Sequence, residues 1–189
     1  MAETQHGVLQ DTRDRRLAYE ARRRPAVADE VCRRLVPLLS SDEERVVVEA
    51  LNLLVAVGPA AYPAVPDVRR VLLEHSSRTA QGAAICALSQ LALKHPEAVV
   101  DDLAAAARRP EHQKLALWWL FHLRHGARPA SPLLAELAQT APTADVRCLA
   151  VRGLRLVTAD AELAARVWTR ALTDRSKKVR EVARAHLEA

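Results

Sequence analysis

Aromatic side chains are almost missing from this chain: three Trp, two Tyr and one Phe stand among 189 residues. A core without rings must be built from Ala, Leu and Val. These are short side chains that let helices approach closely, and Ala and Leu also favour helix. Glycine is scarce too, at five residues, so little interrupts a helical backbone. Half the residues are hydrophobic, ample for a continuous core, and together these features predict an all-α class. Cys32, Cys86 and Cys148 form no CxxC pair and are odd in number, as expected of reduced thiols in a cytoplasmic protein. The opening segment MAETQHGVLQDTRDRR has no apolar h-region. No run of about 18 uncharged apolar residues occurs, so neither secretion nor membrane spanning is indicated. A Gly-rich phosphate loop, a nucleophile elbow, an HExxH motif and a Cys–His arrangement are all missing, which leaves no catalytic constellation and predicts no metal and no cofactor.

What the chain does have is a period. Ala18, Ala50, Ala84, Ala116, Ala150 and Ala183 are separated by 32, 34, 32, 34 and 33 residues. Self-similarity on this scale marks a solenoid, each unit being one supersecondary motif that buries its apolar face only when stacked on neighbours. Each interval resolves into two helical patterns, an outer first helix and an inner second helix. In AVADEVCRRLVPLLS, Val27, Val31, Leu35 and Leu38 share one face. Ser41 stands three residues before Glu44, the spacing of a capping box, and Gly58-Pro59 stops the helix that follows. Val68, Val71 and Leu72 are expected to point inward on the next first helix, with Pro63 and Pro66 at or before its first turn. Later breaks carry Gly126, Ser131-Pro132, Pro142-Thr143, Asp160 and Asp174 as stop and capping signals. The segment DTRDRRLAYEARRR reads as a lone second-type helix aligned through Ala18 and Ala21. Residues 1–25 are therefore expected to be a partial repeat or cap, and 26–189 the repeat domain.

The second helices follow one template: an apolar or small residue at +0, Ala at +4, a small residue at +7, Leu at +8 and an apolar residue at +11. Val146, Ala150, Gly153, Leu154 and Val157 fit it, as do Ala80, Ala84, Ala87, Leu88 and Leu91. Asp145-Val146-Arg147 with Ala150, and Asp174 with Val179-Arg180 and Ala183, carry a resemblance to HEAT-repeat proteins of the short bacterial kind. The resemblance implies a right-handed superhelix of about five and a half helical hairpins, whose second helices form a concave wall that grips a macromolecule. It also implies an Asp–Arg ladder between repeats, from which Val47, Gln81 and Gln113 depart, standing where Arg is expected.

On the template, +2, +6 and +9 lie one helical row from the core and lean toward that wall. The row reads Val48, Asn52, Val55; Gly82, Cys86, Ser89; Lys114, Trp118, Phe121; Cys148, Arg152, Arg155; and Glu181, Ala185, Glu188. Trp118 and Phe121 beside Arg152 and Arg155 have the composition of an interface hot spot. Asn52 and Lys114 complete the expected partner-binding set. Core filling is the competing reading for the adjacent Trp118 and Trp119.

Lysine makes up only four of the 28 basic residues, the net charge is +5, and the excess lies in residues 147–189. Arg147, Arg175, Lys177, Lys178, Arg180 and Arg184, together with Arg152 and Arg155, are candidate phosphate contacts; solvated helix faces are the plainer reading of such charge. Some HEAT-like bacterial proteins are alkylpurine DNA glycosylases that use Trp, a carboxylate and Arg around the damaged base. No Asp or Glu lies within the turn after Trp118 or Trp119, where Phe121 and His122 stand. His122 and His125 are three apart, a spacing two metal ligands can use, but a solvated helix end fits them better. Asp101-Asp102 points in adjacent directions and suits capping better than acid–base work. The expected function is a non-catalytic adaptor that binds a protein through the second-helix wall; the alternative is nucleic-acid binding by the basic C-terminal repeats. Val182 and Leu187, on the inward face of the last helix, raise self-association through that end as a further expectation.

Overall fold

A computed structural model describes residues 11–188, with side chains from Arg16 onward. The described residues are all-α, with no strand among them. The helices are α1 (Asp11–Ala21), α2 (Pro25–Leu35), α3 (Glu44–Val57), α4 (Val65–Glu74), α5 (Arg78–Leu91), α6 (Val100–Ala107), α7 (Gln113–Leu123), α8 (Ser131–Thr140), α9 (Ala144–Val157), α10 (Ala161–Ala171) and α11 (Lys177–Leu187). All six alanines of the period, Ala18, Ala50, Ala84, Ala116, Ala150 and Ala183, are 0% exposed. Each sits where a second helix meets its neighbours, and a methyl group is what such close approach admits.

Contacts divide the chain into two compact units, Met1–Lys94 and His95–Ala189. In the first, α1 packs on α2 and α3, α3 on α5, and α4 on α5. In the second, α7 packs on α6 and α9, α8 on α9 and α10, and α11 on α9 and α10. Within each unit, then, second helices pack on second helices. The 3-10 segments at Val36–Ser40 and Gly58–Ala64 pack on α4 and α2 in the first unit, and that at Arg124–Ala130 packs on α6 and α8 in the second. Two of these segments end in the same Pro-Ala-x-Pro run, Pro63 to Pro66 and Pro129 to Pro132, which places a proline in the first turn of α4 and of α8. There the missing N–H is no loss.

Several expected signals operate as read. Thr143 caps α9 by accepting from the Val146 N–H at 3.4 Å, and Asp160 caps α10 by accepting from Leu163 at 2.8 Å. Gly58 closes α3 with φ +71°, a conformation that favours glycine. That bend also divides Glu44–Glu74, which by length and composition alone would suit a membrane span, into α3, a 3-10 segment and α4.

Three capping expectations are corrected. Ser41 accepts from the Glu43 N–H at 3.1 Å in a local turn, while the Glu44 carboxylate receives the Ser77 hydroxyl from α5 in place of reaching back to Ser41. Ser131 is the first residue of α8 and makes no cap. Ser176 occupies the cap position of α11, because the Asp174 carboxylate is held by Arg147 and by the Ser176 N–H.

The template position +1, just after the +0 residue of each second helix, has a role the sequence reading missed. Gln81, Gln113, Arg147 and Arg180 each donate to the carbonyl six residues earlier, at His75 (2.6 Å), Ala107 (3.0 Å), Ala141 (2.8 Å) and Asp174 (2.6 Å). Those carbonyls lie at or just past the end of the preceding outer helix, where no intrahelical donor remains. A side chain at +1 therefore ties the two helices of one hairpin, and Gln serves as well as Arg. Val47 alone cannot, and it is buried as a core residue of α3.

Candidate functional site

The best-defined surface lies on α7, α9 and α11 of the second unit. These helices run parallel and nearly in register. Lys114, early on α7, meets Asp145, early on α9 (3.0 Å), and Asp145 also accepts from Lys178 on α11 (2.8 Å). Near the other end the Phe121 ring lies against Gly153, so close that a Cβ there would fall inside the ring. On the alanine period Ala116 of α7 is equivalent to Ala150 of α9, so Trp118 and Phe121 correspond to Arg152 and Arg155 on α9.

Leu117 and Leu120 are fully buried and Trp119 nearly so, while Trp118 is 45% exposed. Burying each Leu stabilises α7's seat by about 2 kcal/mol. The indole of Trp118 is fixed on one side by the His122 ring, centroids 3.6 Å apart, and meets Trp119 edge-on at 4.7 Å. His122 is itself anchored, with its Nδ1 2.8 Å from the Trp118 carbonyl. His125 lies in the 3-10 segment after α7 and not on His122's helix, so the two do not share a helical face.

Arg152 and Arg155 are exposed, and among the described residues their guanidinium groups make no hydrogen bond or ion pair. They sit near the His186 ring, which stacks on Trp168 at 5.2 Å and has both nitrogens buried without a partner. Burial first, then the charges of Arg155 and Arg152, hold His186 below the ordinary histidine range. Trp119, Gly153 and His186 occupy the +7 position of their helices. The expectation of a small residue there holds for Gly153 and Ala87 but not for these two rings.

The rest of the expected row divides. Asn52, Lys114, Glu181, Ala185 and Glu188 are exposed; Val48, Val55, Gly82, Cys86 and Phe121 are half-buried. Ser89 and Cys148 are buried and leave the row: Ser89 bonds back to the Ile85 carbonyl at 2.9 Å, and burial pushes the Cys148 thiol up.

The candidate phosphate contacts divide as well. Arg147 does not face solvent. It is 3% exposed and forms a two-pronged pair with Asp174, Nε to Oδ2 at 2.7 Å and Nη2 to Oδ1 at 3.0 Å, the ladder contact that the HEAT resemblance implied for Arg at +1. Arg175 donates to the Pro142 carbonyl (2.8 Å), Arg180 to Asp174, Lys177 pairs with Glu181 (3.6 Å), and Lys178 is held by Asp145. Arg184 is exposed and, among the described residues, its side chain has no such bond. A surface cavity of about 430 Å³ in the first unit is lined by Asp42, Asp67, Arg70, Glu74 and His75. No protein-family model matches the sequence, and a comparison with curated proteins finds no match either.

Proposed function

We propose that the chain is a right-handed solenoid of HEAT-like hairpins acting as a non-catalytic adaptor or scaffold in the cytoplasm, docking a protein partner on its second-helix wall. Four features support the reading. The alanine period is buried throughout, second helices pack on one another within each unit, Gln81, Gln113, Arg147 and Arg180 at +1 tie their hairpins, and one ladder pair joins α9 to the segment before α11. The observation that carries the function is the Trp118 indole, 45% exposed and braced by His122 beside Phe121. A rigid aromatic held half out of the core gives contact area at little entropic cost.

The nucleic-acid alternative draws less support, because Arg147, Arg175, Lys178 and Arg180 already hold protein oxygens. The test is a pulldown with and without nuclease, using wild type and Trp118→Ala. Nuclease-resistant capture that W118A weakens about tenfold or more, with helicity and melting unchanged, is the expected result. Capture abolished by nuclease, or a folded W118A that retains full affinity, removes the proposal.

A further inference from the structure

Resting on that reading, we infer that the wall of the second unit takes an acidic peptide segment, whose apolar side chain packs on Trp118 and Phe121 while its carboxylates pair with Arg152 and Arg155. The argument is charge complementarity at one place. Arg152 and Arg155 are exposed and, among the described residues, have no ion pair; they lie one helical row from an exposed apolar ring, and Phe121 seated on Gly153 joins the two rows. Arg presents a planar fork that suits carboxylate, and it loses less hydration than Lys on pairing. The neighbouring Lys114 is already tied to Asp145, so on the two rows that carry the rings and the arginines the unclaimed cations, among the described residues, are Arg152 and Arg155.

On α11 the next row is Glu181, Ala185 and Glu188, all exposed. A continuous polyanion crossing from α9 to α11 would run onto these carboxylates; a short acidic segment lying along α9 would not. That arrangement favours a peptide over a phosphate backbone.

Seating carboxylates on Arg152 and Arg155 has a second consequence. Burial first, and then those two cations, hold the His186 ring below its ordinary range. Screening them by bound carboxylates lets His186 take up a proton at a higher pH than in the free protein.

The experiment uses the full chain and labelled short peptides alternating Glu with Leu or Lys with Leu, plus a single-stranded oligonucleotide. It is read by fluorescence anisotropy at two salt concentrations and by NMR titration of His186. Expected results are binding of the Glu peptide only, about tenfold or more weakening in Arg152→Glu/Arg155→Glu and in Trp118→Ala, and an upward His186 shift on peptide addition. Failure of the folded wild type to bind the Glu peptide, an unmoved His186, or tighter binding of the oligonucleotide overturns the inference. If R152E/R155E does not fold, the His186 titration of the wild type decides alone. Should W118A weaken capture of the natural partner while the peptide and the arginines do nothing, the inference falls and the docking wall stands; an inert W118A in that capture removes the wall itself.

Discussion

In the first unit, α3 carries Val47 at the position where α9 of the second unit carries Arg147, and the neighbours differ accordingly. Val47 is fully buried, as are Ala50, Leu51 and Leu54 of the same helix, and the Glu44 carboxylate accepts from the Ser77 hydroxyl at the helix starts. Arg147 is buried too, yet it reaches three oxygen-bearing partners: the Ala141 and Pro142 carbonyls and the Asp174 carboxylate. Asp145 adds a bridge from α7 to α11 through two lysines. One unit holds its second helices together with aliphatic volume, the other adds charge. The comparison teaches that a single template position, +1, serves either chemistry provided its own needs are met: Val needs only cover, whereas Arg needs every donor satisfied.

The largest way to break this comparison is to remove one member of the buried pair. Arg147→Ala leaves the Asp174 carboxylate, 11% exposed at its side chain, without its guanidinium, and the Ala141 carbonyl without its donor. The expected cost is about 3 kcal/mol in urea unfolding. Arg147→Gln gives α9 the pattern that Gln81 has on α5 and Gln113 on α7, keeping the carbonyl tie, and is expected to cost about 1 kcal/mol less than R147A. Equal losses for the two variants would show that the tie to Ala141 contributes nothing. The chain supplies its own probe, since Trp118, Trp119 and Trp168 all lie in the second unit while Tyr19 and Tyr62 lie in the first. Tryptophan fluorescence therefore reports the unit that carries the substitution.

A smaller effect sharpens the contrast at +7. Ala87 in α5 and Gly153 in α9 are equivalent and both buried, and Gly153 has the Phe121 ring against its backbone. Gly153→Ala is expected to drive Phe121 off its seat at about 1–3 kcal/mol, despite the gain in helix propensity that Ala ordinarily brings. In the Phe121→Leu background the same change should cost much less, so a double-mutant cycle gives a clear coupling. Additivity of the two changes would show that the ring does not rest on Gly153.

How much of this was legible beforehand follows from where each partner lies in the chain. The alanine period was readable because close helix approach restricts side-chain size whatever the neighbour is, and all six alanines are indeed buried. Thr143 and Asp160 were readable because a cap finds its N–H within three residues. Ser41, Asp174 and Arg147 were misread for the opposite reason. Ser77 claims Glu44 from 33 residues away, and Arg147 claims Asp174 from 27, distances at which local spacing carries no information. The row containing Trp118, Arg152 and Arg155 followed from helical angle alone. Angle says which way a side chain leaves the helix and not whether another helix then covers it, so Ser89 and Cys148 were placed on the wall and are buried.

The mildest perturbation is acid, and its sign follows from the two carboxyls that hold α9. Asp145 is held down to about 2 from its ordinary 3.8, chiefly by hydrogen bonds from Lys178 and then Lys114, and Asp174 is lowered chiefly by its bond from Arg147. A carboxyl whose folded pKa lies below its unfolded one binds fewer protons in the native state. Its contribution is fully present above the unfolded value and is lost as pH falls through the folded one. Stability of the second unit is therefore expected to decline between about pH 4 and 2, reported by tryptophan fluorescence. Asp145→Asn should flatten part of that decline by lowering stability at neutral pH by the same amount, a small one, since its lysine partners are exposed and such pairs are screened by water and salt. The part that survives in D145N belongs chiefly to Asp174, and adding R147Q should remove most of it, because Asp174 then loses the guanidinium bond that lowers it most. An acid profile identical in wild type and D145N would mean that the Lys114–Asp145–Lys178 bridge does not persist in solution, leaving the buried Arg147–Asp174 pair as the electrostatic difference between the units.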